Sequence, residues 1–387
     1  MFSEEQTAFL SGKSGLKDLS SLIYCVRACG FDEGAYLAAH PDLQAAGFDP
    51  TSALFHFLAH GIEEHRTVPG GRLPDGLAAL VALEIPDPAY ASRLFRNLFF
   101  GQLADPETAA WLWYGVDGAL LECIRAARGV PYFIIGDSHA NHYRRNAARD
   151  IEWLAPLPLL CHGASAIRLA DEAARSPHGA NILRWARTTV RQRPKLDAPI
   201  FLKFGGIDAQ FLWVRRRIRN RVYQFSTDDF DALADESVKQ YARFLDALAD
   251  IVDPKLLRVC SVFPPAITDA DWEGHFLEAH RDTPEHDRYL AAELRKMELP
   301  DLGAWTELRA RYNRKLRGIC DKAGLVFVDV LSPFLDSKGV VDKRYLGAAG
   351  DFHINYDATE EPLVELIWRH VSSDSSRDAL RGHPAAE

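Results

Sequence analysis

Apolar positions along this chain change period in a way that separates strands from helices. Short continuous apolar runs lie at Tyr132–Ile135, Leu157–Cys161, Ile200–Phe204, Arg258–Phe263 and Leu325–Val330. Runs this short, rich in β-branched and aromatic residues, predict strands buried on both faces. Between them, Ala166–Arg187, Ser237–Ile251 and Ala304–Ala323 carry helical periodicity, and Glu361–Val371 adds a closing helix. Ala140–Ile151 also reads as helical, with Tyr143, Ala147, Ala148 and Ile151 able to share a face. Strands alternating with helices of this length predict an α/β fold, a parallel sheet covered by helices on both faces.

The same pattern divides the chain. Residues 1–70 show short helical periods and predict a small helical module. Residues 66–75 have linker composition, and 71–128 read as a helical connector broken at Pro86, Pro88 and Pro106. The α/β domain spans 129–372. The tail 373–387 is polar and small-residue-rich, and is expected to be disordered.

Composition narrows the functional classes. The net charge of -9 argues against nucleic acid as the main partner. No apolar run approaches the ~20 residues of a membrane span. The start, Met1-Phe2-Ser3-Glu4-Glu5, has no apolar signal core, so a cytoplasmic location is the default expectation. The six cysteines lie among apolar neighbours without a Cys-x-x-Cys pair and read as free buried thiols. His56, His60 and His65 read as structural. His275, His280 and His286, in the charged segment 270–300, lack helical metal-pair spacing, so that segment reads as a lid or specificity element. Arg215-Arg216-Arg217-Ile218-Arg219-Asn220-Arg221 is a basic cluster that reads first as a solvated face and second as an anion attractor. Nothing in the pattern specifies an oligomeric state.

Candidate chemistry gathers at the strand ends, where open α/β sheets place their ligands. After the first strand comes Gly136-Asp137-Ser138-His139, in which Ser138 is either a helix cap or a serine beside a helix N-terminus. Later strand ends carry Cys161-His162-Gly163, Gly205-Gly206-Ile207-Asp208-Ala209-Gln210 and Gly350-Asp351-Phe352-His353-Ile354-Asn355. A serine early and an Asp/His pair late supply a nucleophile and a base.

With these blocks in order, residues 129–372 resemble the SGNH/GDSL hydrolase superfamily. Gly136-Asp137-Ser138 fits its nucleophile block, with His139 where Leu is common, a form seen in glycan-modifying relatives. Gly163 fits the second block. Gly205-Gly206-Ile207-Asp208 stands at the Gly-x-Asn-Asp block with Ile207 in the Asn position, and Asp351-Phe352-His353 at the Asp-x-x-His block, one residue short. The resemblance implies a flavodoxin-like three-layer α/β/α sandwich. It implies Ser138 as nucleophile and His353 as its base, and an oxyanion hole from the Ser138 and Gly163 N–H groups. Losing the Asn donor costs on the order of 3 kcal/mol in enzymes that depend on it, so the Gly206 N–H or Gln210 would stand in. The shortened last block leaves the group orienting His353 open between Asp351, Asp208 and a backbone carbonyl. Asp137, His139, His162, Asp208, Gln210 and Asn355 are expected to line the substrate pocket, with no metal and no organic cofactor.

Residues 31–66 resemble a short repeat found beside bacterial glycan-processing domains. It is carried by Tyr36-Leu37, His40-Pro41-Asp42-Leu43, Ala46-Gly47, Pro50, Gly61 and Arg66, with His40 where Asn is usual. The two resemblances together imply a serine-dependent carbohydrate esterase or O-acyltransferase whose partner is an acylated surface glycan. The alternative is a catalytically silent glycan-binding or assembly protein that keeps the fold.

Overall fold

A computed structural model describes residues 2–68, 73–103, 118–171, 174, 176–192, 197–266, 272–279, 283–348 and 351–371. The expected disordered tail, the centre of the expected linker, Gly350, His280 and the His275 side chain lie outside these residues.

Six strands form one sheet: β1 (Gly129–Gly136), β2 (Ala148–Arg149), β3 (Glu152–Leu160), β4 (Ile200–Lys203), β5 (Leu257–Cys260) and β6 (Val326–Val328). Their order is β2-β3-β1-β4-β5-β6, and every pair is parallel except β2–β3. The five parallel strands, counted along the chain, run 2-1-3-4-5, the flavodoxin-like order, with its topological switch point between β1 and β4.

Side-chain alternation along β1 fills two layers. Phe133 and Ile135 join the core on one face, while Tyr132 and Ile134 join a separate core on the other. Fully burying a side chain such as Ile134 or Ile135 contributes about 1.5–3 kcal/mol. The first face is covered by helices His178–Gln192, Thr227–Ala249 and Leu302–Ala323, through residues such as Trp185, Phe230 and Tyr312. The second is covered by Glu360–Val371, through Leu363, Ile367 and Trp368. The sheet is therefore the middle of three layers.

Short N-terminal helices lie between Glu4–Ser14 and Pro50–His56, followed by a π-helical turn, Phe57–Gly61. Their apolar residues belong to the same core cluster as the first face of the sheet. Helix Pro88–Leu103 bridges the two: Tyr90 donates to the Leu58 carbonyl (3.0 Å) and Phe99 packs on Trp153 of β3 (ring centroids 5.2 Å). The histidines there have local partners. His56 Nδ1 lies 3.1 Å from the Tyr36 hydroxyl, His60 packs on Phe9, and His65 Nδ1 accepts from Arg96. All six cysteines are thiols outside any disulfide, and no described helix is long and apolar enough to cross a membrane.

Two expected helices take another form. Ala140–Ile151 becomes a 3-10 turn, Ser138–Tyr143, followed by the β2–β3 hairpin. The carbonyls that would carry an α-helix onward are taken by side chains: Tyr132 donates to the Tyr143 carbonyl (2.5 Å) and Arg145 Nε to that of His142 (2.7 Å). The expected helix Ala166–Arg187 splits into a 3-10 turn, Ala166–Arg168, and the helix His178–Gln192. Pro177 excludes the helical conformation at the residue before it, so the helix starts only beyond it. Within 270–300 the described residues include two helices, Trp272–Ala279 and Pro284–Leu294, with Trp272 stacked on Trp305 (5.8 Å).

Candidate active site

The site grows out of the end of β1. Gly136 is hemmed in by its neighbour β4: a Cβ there would sit 2.4 Å from the Lys203 carbonyl oxygen, so no side chain fits. The Asp137 N–H donates to that same oxygen (3.1 Å), which ties the turn to β4. Asp137 then caps the 3-10 turn, its Oδ1 accepting from the His139 N–H (2.9 Å). Ser138 opens the turn at the sheet edge.

The second contribution comes from the loop before helix Glu360–Val371, more than two hundred residues later in the chain. His353 Nε2 lies 2.7 Å from Ser138 Oγ, and His353 Nδ1 lies 2.6 Å from Asp351 Oδ1. The same carboxylate oxygen accepts the His353 backbone N–H (2.9 Å). One residue shorter than the familiar block, the loop still lets the carboxylate reach the ring, because Asp351 Oδ1 closes a turn over its own i+2 amide. Of the three orienting groups left open by the sequence, Asp351 holds this position. In this tautomer Nδ1–H donates to Asp351, and Nε2 is free to accept the Ser138 hydroxyl proton. The Asp351 side chain is 52% exposed and that of His353 33%, so the site faces solvent.

Arg145 clamps the two loops together. Its guanidinium donates to the Tyr356 carbonyl (2.9 Å) and Thr359 Oγ1 (3.0 Å), and it lies 3.6 Å over the Tyr356 ring. Sequence reading missed this residue because Arg145 stands in a polar run, Tyr143-Arg144-Arg145-Asn146, that resembles an exposed surface. Lys203 was missed too, although a lysine within Ile200-Phe201-Leu202-Lys203-Phe204 is the signal of a buried charge. It is fully buried, donates to the Ser261 carbonyl and lies 3.9 Å over the Phe263 ring. Burial pushes its ammonium down to about 8, against the opposing effects of Cys260 and Asp137.

Several residues expected to meet substrate are buried or tied into the fold. Asp208 is fully buried: it accepts from the Ala166 N–H (2.7 Å), the Ile167 N–H (3.0 Å) and the Ser237 hydroxyl (3.0 Å). It fixes the loop that follows Gly163 rather than a ligand. Desolvation raises its carboxyl, and those three donors offset part of the rise. Asp137 is buried as well, its Oδ1 facing His139 Nδ1 at 2.9 Å. Burial pushes the Asp137 carboxyl up, but His139 and the Lys203 ammonium outweigh it and hold the group below its ordinary value. Asn355 Oδ1 accepts from the Ala358 N–H (2.9 Å) and so caps the turn into the last helix. Gln210 is buried on the π-helical segment Asp208–Leu212.

Four other expected residues lie on the loops at this end of the sheet. His139 is buried with its ring centroid 4.9 Å from that of His353. Gly206 packs on it, a Cβ there falling 3.2 Å from the imidazole. Gly163, in left-handed backbone (φ +70°), and His162 are exposed just beyond β3, whose last residue Leu160 pairs with Gly136. His142, also near His353 (6.2 Å), is pushed down to about 2, first by burial and then by the charges around it. Burial thus favours its neutral form. No cluster of three or more His, Cys, Asp or Glu among the described residues is placed to hold a metal.

No family model and no curated protein matches this chain. Solved structures do match. One is a lipase, Lip_vut3, from a goat rumen metagenome, at 14% identity over 62% of this chain and 97% of that one, with a TM-score of 0.37. Another is a GDSL-like lipase from Bacteroides thetaiotaomicron, at 13% identity over 62% of this chain and 87% of that one, with a TM-score of 0.29. At these scores the likeness says nothing of chemistry, which rests on the geometry of this chain alone.

Proposed function

We propose that this protein is a serine-dependent ester hydrolase or O-acyltransferase acting on an acylated glycan. The observation that carries the proposal is the continuous chain Asp351 Oδ1, His353, Ser138 Oγ, with links of 2.6 and 2.7 Å. In the acylation step Ser138 Oγ attacks the ester carbonyl carbon while its proton passes to His353 Nε2. Asp351 stabilises the imidazolium that forms. The oxyanion is met by backbone N–H groups, with Ser138 and Gly163 as donors and Gly206 in place of the side-chain donor that Ile207 cannot supply. Imidazolium then protonates the departing alkoxide, leaving an acyl-enzyme. Water attacking that intermediate gives hydrolysis; a sugar hydroxyl gives transfer; in both, His353 takes the attacking proton and returns it to Ser138.

The glycan part of the reading is supported by the His139 form of the nucleophile block and by the N-terminal repeat. The competing reading, a silent glycan-binding protein, draws its support from Ile207. Labelling with a fluorophosphonate, followed by peptide mass spectrometry, separates the two. Label on Ser138 that is lost in Ser138→Ala and reduced in His353→Ala is expected. A folded protein that takes no label at Ser138 would leave the silent reading standing.

A further inference from the structure

A cleft of about 800 Å³ lies outside the candidate active site, and its lining is unlike the rest of this acidic chain. Five arginines line it, Arg168, Arg215, Arg216, Arg219 and Arg243, against two carboxylates, Asp171 and Glu236. Arg215 and Arg219 are one helical turn apart on Trp213–Asn220, and both are exposed. Arg216 pairs with Glu236 (2.8 Å) and Arg243 is held by Gln240 (3.2 Å). Arg168, Arg215 and Arg219 have no carboxylate partner among the described residues. Clustering that many like charges costs repulsion, and a bound anion relieves it.

Two segments of the cleft lining continue into the loops that carry candidate active-site residues. Leu212 lines the cleft, while its neighbour Phe211 packs edge-on against Phe352 (4.5 Å), the residue between Asp351 and His353. On the other side Ile167 and Arg168 line it, within the turn that Asp208 fixes just after Gly163. Tyr289, 49% exposed, offers a ring at the rim on which the apolar face of a sugar can lie.

We infer that this cleft is a binding site for an anionic glycan, a chain bearing carboxylate, sulfate or phosphate groups, which it holds while an ester on that chain meets Ser138. Guanidinium forks match carboxylate and phosphate oxygens two bonds at a time, so an arginine-lined cleft suits repeated oxyanions better than a lysine one. The inference rests on the ester-chemistry reading and names its substrate class.

The test uses the full chain carrying Ser138→Ala, titrated calorimetrically with oligogalacturonate as the anionic probe and xylo-oligosaccharide as the neutral one. Oligogalacturonate is expected to bind and xylo-oligosaccharide not to, with affinity falling as salt rises from about 0.05 to about 0.5 M. Adding Arg215→Glu and Arg219→Glu should weaken binding about tenfold or more. Lys338→Glu, an exposed charge reversal outside the cleft, should leave it unchanged. If the double reversal loses its far-ultraviolet dichroism, Arg215→Gln with Arg219→Gln carries the same comparison. Equal affinity for both sugars, or a double variant that binds as well as its parent, overturns the inference. So does a single-stranded oligonucleotide that binds more tightly and displaces the sugar. Because binding is read without turnover, the outcome is independent of whether Ser138 takes the fluorophosphonate label.

Discussion

Removing the Asp351 carboxylate should slow turnover only modestly, and the structure says why. Asp351 makes one charge-assisted bond to the imidazole, at 2.6 Å, from a side chain that is 52% exposed. A hydrogen bond to a charged group contributes about 1.5–3 kcal/mol, which at 1.36 kcal/mol per decade is roughly 10- to 150-fold in rate. Solvent at this edge can take over part of the role, so Asp351→Ala should fall near the lower bound, about tenfold in kcat. A buried triad carboxylate costs about 10⁴-fold when lost. Asp351→Asn should lose less still. One oxygen accepts both the ring N–H and the His353 backbone N–H, and an amide oxygen fixed by the latter keeps the imidazole in the same tautomer. His353→Ala removes the base itself and should fall much further. The assay is hydrolysis of p-nitrophenyl acetate under saturating conditions, with the unfolding midpoint of each variant measured alongside. A loss of about 10³-fold or more in a folded Asp351→Ala would mean that solvent does not reach the imidazole, and would refute the reasoning.

Three further outcomes concern stability. Asp208→Ala strands two backbone N–H groups in the core, while the Ser237 hydroxyl keeps the Tyr312 hydroxyl (2.9 Å) as a partner. At about 1–3 kcal/mol for each buried unsatisfied group it should cost about 2–6 kcal/mol, read from the urea midpoint. Gly136→Ala forces a methyl to 2.4 Å from the Lys203 carbonyl and should destabilise by about 1–3 kcal/mol or more while disrupting fluorophosphonate labelling of Ser138. Lys203 gives a pH signature. With its folded value lowered from 10.5 to about 8, the unfolded chain binds more protons between those two values, so stability from this group rises with pH there. Below about pH 8 the buried ammonium costs its full penalty, on the order of 3 kcal/mol. Lys203→Met should lack that rise, and the difference between wild type and variant in denaturant melts from pH 7 to 11 checks it.

Much of this protein was legible in one dimension because its signals are local. β1 is a continuous apolar run ended by a glycine that nothing larger can replace, and Ser138 follows it at the sheet edge by chain connectivity alone. Five strands separated by helices sufficed for a parallel α/β sheet, since period and length report which faces are buried. The Asp351/His353 pair was visible as residue types ahead of the closing helix.

Tertiary structure decided the rest, because it depends on partners far away in sequence. Whether Asp351 reaches His353 is a matter of loop curvature, not spacing. Whether Asp208 meets substrate or scaffold is decided by Ala166, Ile167 and Ser237, none of which is its neighbour in the chain. The segment after Ser138 has helical periodicity, yet the Tyr132 hydroxyl and the Arg145 guanidinium claim its carbonyls and turn it into a hairpin. Arg145 and Lys203 look alike on paper as cations; only packing shows one clamping two loops and the other buried beneath the nucleophile turn. Apolar periodicity is written residue by residue along the chain, whereas the satisfaction of buried polar groups is a property of the folded whole.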